Sequence, residues 1–326
     1  MTDLWLPRHL RRRVARRDFL RGALAASAGG IAFYALGCGS SDDADRTPSA
    51  SEEGLKPQLL TQEFVAGQQS RVAVGLLTEE NELVTDAKVH ARFFTIQEDG
   101  VTGTFRGEGD MEFVELNVEG AHAHDSSGED VVDEDSVSYY QVTTEFDVAG
   151  RWGIELTVTP NGETTLPPAQ VPVLVLETSQ SPAIGTVPPA SQNDTVATNS
   201  DTFSLCTRDP ICGLHDKVIA DVLGKGRPLV VQFSTPSFCE TRFCGPVLEV
   251  LLPKAAEYED RVDFVHIEVW QDHGLGQYRP AVREWNLPGE PYTFFMDEEG
   301  KVVGRLEAIF TEEELAGYLE QLVTLA

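Results

Sequence analysis

Residues 228–246 read PLVVQFSTPSFCETRFCGP and contain both a predicted strand and a pair of cysteines. The run from Pro228 to Phe233 is apolar except for Gln232, as in a strand that is buried on both faces. A polar segment follows, and the apolar spacing then predicts a helix over Pro246–Tyr258. Cys239 and Cys244 therefore lie between the end of a buried strand and the start of a helix. Helix N-terminal amides stabilise a thiolate, so we expect reactive thiols at this place.

The surrounding segments alternate between helix and strand patterns from residue 205 to residue 326. A capping box, Thr311 to Glu314, starts the last helix. This order of elements predicts a compact α/β domain. The predicted elements are a short helix over His215–Leu223, the strand before Cys239, the helix over Pro246–Tyr258, a strand over Val262–Val269, a helix over Pro280–Trp285, strands over Tyr292–Met296 and Val302–Leu306, and the last helix.

This domain resembles the thioredoxin-like superfamily in the cysteine pair after a buried strand and in Pro291, which directly precedes a hydrophobic strand. The resemblance covers about 115 residues. It implies that Cys239 and Cys244 are catalytic, that Pro291 forms a cis peptide beside them, and that the substrates are protein disulfides or dithiols. It implies no cofactor.

The cysteine spacing departs from the thioredoxin pattern. Four residues separate Cys239 from Cys244 where thioredoxins have two, and positions five apart on a regular helix are too far apart for a disulfide. Cys239 is therefore expected before the helix, or the first turn must unwind. Either cysteine could be the nucleophile, because the strand alignment favours Cys239 and the Cys-Gly-Pro alignment favours Cys244. Gln232 stands where many thioredoxins have a buried Asp.

Three other functions fit the same cysteine pair. Sco-type copper chaperones place two cysteines similarly and add a histidine before the last hairpin, which this chain lacks unless His273 or His215 substitutes. Some peroxiredoxins have the same spacing, but Pro236 occupies the position of their required Thr. A binding protein with purely structural disulfides is the third possibility. No metal ligand is assigned from the sequence.

Cys206 and Cys212 flank a turn-like loop ahead of the predicted first helix of this domain. The sequence predicts a structural disulfide that closes this short loop. A second redox pair that exchanges with Cys239 and Cys244 is the alternative.

Residues 58–178 form a different domain, in which short apolar runs alternate with polar turns and no helix is predicted. This pattern predicts a β-sandwich of seven or eight strands. The stretch from Tyr140 to Trp152 resembles immunoglobulin-like extracytoplasmic modules of the YtkA and FixH types. The predicted fold class is an all-β immunoglobulin-like sandwich followed by an α/β thioredoxin-like domain, joined by a Pro/Ser/Thr-rich linker over residues 179–204.

The N-terminus resembles a twin-arginine lipoprotein signal. Arg16-Arg17-Asp18-Phe19-Leu20 precedes a weakly apolar run that is short for a permanent membrane helix, and the run ends at Cys38. Residues 1–37 are expected to be cleaved, Cys38 to be lipidated, and residues 38–57 to form a flexible tether. An ordinary cleaved signal is the alternative. Lipidation of Cys38 leaves four of the five cysteines as two close pairs, which suits an oxidising extracytoplasmic location.

The chain is strongly acidic, with 53 Asp and Glu residues against 25 Lys and Arg residues and a formal net charge of −28. Seven of the arginines lie within residues 1–37, so the remaining chain is more acidic still. Such a surface repels phosphate backbones, which excludes nucleic acid as an expected partner. The expected contact with the membrane is through the lipid.

Overall fold

The computed structural model describes most of the chain after the N-terminal segment. The predicted signal, Cys38, Cys239 and His273 lie outside the described residues. None of the helices in the described part has the length and apolarity needed to span a bilayer. The described residues are 55–78, 82–98, 100, 103–116, 123–124, 130–131, 137–161, 164–238, 244–271 and 276–325.

The first unit is a β-sandwich whose two layers are joined by one long strand. Its eight main strands run in the order β1-β3-β8-β5-β4-β9-β10-β2. The first half of β5 pairs with β4 and its second half pairs with β8, so β5 belongs to both layers. The strands are β1 (Lys56–Leu59), β2 (Phe64–Val65), β3 (Gln69–Leu77), β4 (Ala87–Ile96), β5 (Gly103–Leu116), β6 (Ala123–His124), β7 (Asp130–Val131), β8 (Val137–Glu145), β9 (Gly150–Pro160) and β10 (Ala169–Leu176).

Alternating apolar residues of the strands fill the interior of the sandwich, as the sequence pattern predicted. The ring of Trp152 on β9 meets that of Phe146 edge to face at 4.9 Å, and its Nε1–H donates to the carbonyl of Val148 at 2.9 Å. The Trp152 ring is thus buried with its polar atom satisfied. The β-sandwich predicted for residues 58–178 is confirmed at the level of architecture, with its first strand beginning at Lys56.

The second unit is a four-stranded mixed sheet with the order β12-β11-β13-β14 and flanking helices. Strands β11 and β12 are parallel, and β13 is antiparallel to both β11 and β14. The central strands β11 and β13 are buried along their whole length. The elements are α1 (Thr202–Leu205), α2 (Ile219–Val222), β11 (Leu229–Phe233), α3 (Cys244–Tyr258), β12 (Asp263–Ile267), α4 (Pro280–Glu284), β13 (Tyr292–Met296), β14 (Val302–Glu307) and α5 (Glu312–Leu325).

The segment predicted as a linker is bound to the second unit along much of its length. Val302 in the edge strand β14 exchanges backbone hydrogen bonds with Gly185 and Thr186, at 2.7 and 2.9 Å. The indole of Trp285 donates to the carbonyl of Pro189 at 3.1 Å. The extended chain pairs its carbonyl and amide groups with the open edge of the sheet, so tertiary contacts hold a segment that composition alone predicts to be a linker.

Each unit has its own buried apolar cluster, and a third cluster spans both units. Leu60, Ala73 and Tyr139 of the sandwich pack in the same buried cluster as Ile309 and Phe310 of the second unit. Arg71 on β3 reaches across to Glu314 of α5, with Nη1 3.1 Å from Oε1. The second unit therefore has a fixed neighbour on the side of its last strand and helix.

Candidate functional site

Cys244 is the first residue of α3, directly after the segment that follows the central strand β11. Its side chain is completely buried, and its sulfur is disulfide-bonded. The sequence predicted a helix from Pro246, and the observed start at Cys244 adds a cysteine to the first helical turn. Cys239, the other member of the predicted pair, lies outside the described residues.

Pro291 immediately precedes β13, the strand that pairs with β11. The Glu290–Pro291 peptide bond is cis, as the sequence predicted. Gln232 on β11 is buried, and its side-chain carbonyl accepts a hydrogen bond from the hydroxyl of Thr293 on β13. A neutral amide therefore occupies this buried position between the two central strands.

The predicted disulfide between Cys206 and Cys212 is not the arrangement in the structure. Both cysteines are free, and their sulfurs are 3.8 Å apart, whereas a disulfide bond is about 2.05 Å long. Each sulfur instead faces histidine nitrogens. Sequence spacing suggested a bridge because the two cysteines close a short loop, but the tertiary structure gives them other neighbours.

Four buried donor atoms converge at this place: the sulfurs of Cys206 and Cys212, Nε2 of His215 and Nδ1 of His266. Cys212 Sγ is 3.1 Å from His215 Nε2 and 3.3 Å from His266 Nδ1. Cys206 Sγ is 3.7 Å from His266 Nδ1, and the two histidine nitrogens are 3.1 Å apart. All four donors lie within 4.8 Å of one another, and each residue is at most 4% exposed.

The backbone explains how these residues meet. Cys206 ends α1, where its N–H donates to the carbonyl of Thr202, and Cys212 follows a cis Asp209–Pro210 bond that turns the loop back. His266 lies on the outer strand β12, and its N–H donates to the carbonyl of Leu214 at 2.9 Å. The loop over residues 206–215 thus lies against the outer strand of the sheet and turns its cysteines and His215 toward His266.

A further layer of hydrogen bonds fixes the cluster. His266 Nε2 is 3.0 Å from both the carbonyl and the hydroxyl oxygen of Ser234. The N–H and the hydroxyl of Thr207 both donate to the carboxylate of Glu268, at 2.9 and 3.0 Å. His266 is therefore tied to the end of β11, and the loop beside the cluster is tied to the end of β12.

The same loop contacts the segment that leads toward Cys239. Ser237 donates from its N–H to the hydroxyl of Thr207 at 3.1 Å, and from its own hydroxyl to the carbonyl of Thr207 at 2.6 Å. Arg208 forms a paired contact with Glu249 on α3, with Nε–Oε1 at 2.5 Å and Nη2–Oε2 at 3.1 Å. The cluster and the thiol site are thus neighbouring parts of one framework.

Burial and mutual contacts shift the protonation of the cluster. The hydrogen bond between the two sulfurs, aided by the histidines, lowers the pKa of Cys206, whereas the same bond and burial raise the pKa of Cys212. Burial lowers the pKa of His215. Burial also acts to lower the pKa of His266, but the Cys206 thiolate and Glu268 outweigh it and raise that pKa. Burial raises the pKa of Glu268 to about 7.

The sequence contained part of the signal for this cluster. Cys206, Cys212 and His215 follow one another as Cys-x5-Cys-x2-His, which groups the thiol and imidazole ligands that zinc sites use, although the spacing is not one of the common zinc motifs. From the sequence, His215 was a candidate ligand for the other cysteine pair and was not grouped with these cysteines. His266 lies within a buried strand 51 positions after His215, where no local pattern marks it.

Comparisons with known proteins assign no family to the chain. No family profile matches it, and no curated protein matches it. Structural similarities extend to a Lin-41 filamin domain (12% identity, 40% of this chain and 99% of that chain, TM-score 0.19) and to the PKD domain of the human receptor SorCS2 (10% identity, 45% and 96%, TM-score 0.18). A third is a conjugative transposon lipoprotein from Bacteroides eggerthii DSM 20697 (9% identity, 37% and 94%, TM-score 0.17). Scores this low assign neither a family nor a function.

Proposed function

We propose that this chain is an extracytoplasmic, thioredoxin-like thiol–disulfide oxidoreductase that acts on protein disulfides or dithiols through Cys239 and Cys244. The observation that carries the proposal is the state of Cys244, which is buried and disulfide-bonded at the first residue of a helix. We assign Cys239 as its disulfide partner. A helix N-terminus favours the thiolate form of a cysteine, which is the form that attacks disulfides.

The topology of the second unit supports this proposal. Two parallel strands, β11 and β12, are joined through α3, and β13 and β14 form an antiparallel hairpin beside them. This is the strand order expected of a thioredoxin-like core. Cys244 follows the first of the parallel strands and Pro291 precedes the hairpin, which are the two positions that the family uses for its active site.

Burial distinguishes the roles of the two cysteines. Cys244 has no exposed surface, so its sulfur cannot be reached by a bulky partner protein. Cys239 is therefore assigned as the attacking thiolate and Cys244 as the resolving thiol.

The electrons balance over two exchange steps. The Cys239 thiolate attacks one sulfur of a partner disulfide, forming a mixed disulfide and releasing the other partner sulfur as a thiolate. Cys244, once deprotonated, then attacks the Cys239 sulfur and releases the second partner thiolate. The partner disulfide is reduced and the Cys239–Cys244 pair is oxidised by two electrons; the reverse sequence oxidises a partner dithiol.

Neighbouring side chains shape this chemistry. Gln232 is neutral and bonded to Thr293, so it supplies no carboxylate to take the proton of Cys244. The proton must go to water or to the leaving thiolate, which predicts slower exchange than a buried carboxylate allows. Pro291 lines the groove beside the disulfide in this assignment and excludes backbone donors from that wall, because proline has no N–H.

The twin-arginine segment and the ending at Cys38 support export and attachment to the cell membrane by lipid. In this arrangement the immunoglobulin-like sandwich lies between the anchor and the redox site. Metabolic labelling with a fatty acid tests the anchor directly. Label is expected on the full chain and not on Cys38→Ala; equal labelling of the two forms contradicts it.

Disulfide trapping and a redox titration test the proposed activity. The full chain should reduce a small disulfide substrate, with a reduction potential for its cysteine pair of about −120 to −270 mV. Cys244→Ser should stop turnover and accumulate a mixed disulfide through Cys239, whereas Cys239→Ser should stop turnover without trapping. His90→Ala, on the exposed face of the sandwich, is the control that should retain activity.

Two results would contradict the redox assignment. A potential below about −300 mV would identify a structural bridge, since ordinary thiol pools cannot reduce such a bond. Trapping through Cys244 in place of Cys239 would reverse the roles assigned from burial.

A further inference from the structure

We propose that Cys206, Cys212, His215 and His266 bind one Zn²⁺ ion in a closed, tetrahedral Cys₂His₂ site. This inference does not depend on the redox activity of the other cysteine pair. It follows from the geometry of four donor atoms, from their burial and from the charge that they carry.

The donor separations match the edges of a tetrahedron around zinc. Zn–S bonds of about 2.3 Å and Zn–N bonds of about 2.0–2.1 Å give edges of about 3.8 Å between sulfurs, about 3.5 Å between sulfur and nitrogen and about 3.4 Å between nitrogens. The sulfurs of Cys206 and Cys212 are 3.8 Å apart. Three of the four sulfur–nitrogen separations are 3.1, 3.3 and 3.7 Å, and the fourth, from Cys206 to His215, is within 4.8 Å. The nitrogens of His215 and His266 are 3.1 Å apart.

Hydrogen bonding alone accounts poorly for so many close contacts. The carbonyl of Ser234 can only accept, so His266 Nε2 carries a hydrogen, and Nδ1 is the ring nitrogen that remains to bind a metal. That one atom has three donor-atom neighbours, Cys206, Cys212 and His215. A shared proton serves one such contact, whereas a cation at the centre serves all of them. Ser234 also orients the ring, as the outer partners of metal-bound histidines usually do.

The donor set and its burial select the metal. Thiolate and imidazole ligands suit soft or intermediate cations and exclude Mg²⁺ and Ca²⁺, which take oxygen ligands. Two thiolates and two neutral imidazoles around Zn²⁺ have no net charge, whereas Cu⁺ would leave a buried negative charge, which is costly. All four positions are filled by protein ligands, so no site remains for water or substrate, as in structural zinc sites.

Metal binding also explains how two thiols this close persist in an oxidising compartment. Zn²⁺ takes Cys206 and Cys212 as thiolates and both histidines as neutral imidazoles, so the protons that the cluster holds pass to water as the metal binds, and the thiolates are held by the metal and not by each other. No electron is transferred. The bound loop then supports the neighbouring segment, because Thr207 holds Ser237 by two hydrogen bonds. The zinc is thus a structural clamp beside the β11–α3 connection.

Metal analysis of the purified full chain tests this site. One Zn²⁺ per chain is expected in the wild type, and Co²⁺ exchanged into the site should give the visible bands of tetrahedral thiolate coordination. His266→Ala and Cys212→Ser should lose the metal and the bands. The controls His90→Ala and Cys244→Ser should keep both, so a failed redox assay would leave this result unchanged.

A measurement on the wild type avoids the problem of variants that do not fold. Cys206 and Cys212 should resist alkylation until a chelator is added, and the chelator should lower the Tm, with Zn²⁺ restoring both. Three results would overturn the inference: a Cys206–Cys212 disulfide in peptide mapping, no Zn²⁺ or Co²⁺ uptake by reduced protein, or copper in place of zinc in the protein as purified.

Discussion

Replacing Arg71 by Met should uncouple the two units of the chain. Arg71 lies on β3 of the sandwich, where its guanidinium has a long contact of 3.5 Å to Gln141 and lies over the ring of Tyr139. Its charged and backbone carbonyl partners belong to the second unit. Nη2 donates to the carbonyls of Glu307 and Ile309 at 2.7 and 2.5 Å, and Nη1 donates to both carboxylate oxygens of Glu314 at 3.1 and 3.3 Å. The methionine side chain retains most of the aliphatic stem and removes the charge and the donors.

The expected loss comes mainly from the two carbonyls. A hydrogen bond to a charged group contributes about 1.5–3 kcal/mol, but the Arg71 side chain is 18% exposed, so water replaces part of each bond. Glu314 keeps a partner, because its carboxylate also accepts from the N–H of Thr311 at 2.8 Å. The ion pair with Glu314 is partly exposed to solvent and contributes about 0–1 kcal/mol. The sum is a loss of about 2–4 kcal/mol in the free energy of unfolding.

Arg92→Met is the matched control. Arg92 on β4 has a similar exposure of 23%, and its carboxylate partner Glu155 at 3.3 Å belongs to the same sandwich. Arg92 contributes as much as a surface ion pair does, with an added contact over the ring of Phe94. Arg92→Met should therefore lower the free energy of unfolding by about 1 kcal/mol. Urea unfolding of the two variants gives the free energies.

Hydrogen exchange shows where the loss occurs. In Arg71→Met, backbone amides of α5 and of the residues after β14 should exchange faster at the contact between the units, while Arg92→Met should leave them unchanged. Equal destabilisation by the two variants, or a change confined to the sandwich, would refute the claim that Arg71 couples the units.

Two further predictions concern the same part of the molecule. Burial raises the pKa of Glu307 despite its contact with Arg305, so the native state binds a proton more tightly than the unfolded state. Relative to Glu307→Gln, the wild type should therefore lose stability as pH rises above about 4.5, which is measured as the unfolding free energy of both forms against pH. A wild type that gains stability relative to the variant would contradict this prediction. A Cβ on Gly304 would overlap the ring of Tyr318, so Gly304→Ala should lower the free energy of unfolding by about 1–3 kcal/mol. Gly317 lies in the same helix as Tyr318 with open space around it, so Gly317→Ala should be neutral or should stabilise the protein by about 0.5–1 kcal/mol. Equal effects of the two variants on the Tm would show that the ring moves freely.

The sequence alone was sufficient for the elements whose cause is local. Alternating apolar residues between residue 58 and residue 178 predicted a β-sandwich. The mostly apolar run over residues 228–233 predicted the buried strand β11. Capping by Thr311 predicted the start of α5. These predictions succeeded because period, run length and capping depend on residues close together in the chain.

Local patterns failed where a distant residue determines the conformation. The helix predicted over His215–Leu223 shrinks to α2, because His215 turns toward the cysteines and Leu214 bonds to the backbone of His266. The segment over residues 179–204 was predicted as a linker, yet Gly185 and Thr186 pair with the open edge of β14. Neither partner is visible from composition.

The candidate sites divide in the same way. The cysteine pair after β11 and the proline before β13 could be identified from the sequence because each lies at the end of a recognisable element. The Cys₂His₂ cluster required the tertiary structure, because spacing groups Cys206, Cys212 and His215 but cannot say what they face. Only the parallel pairing of β12 with β11, which sets His266 beside Gln232 and over Ser234, brings the fourth donor to the other three.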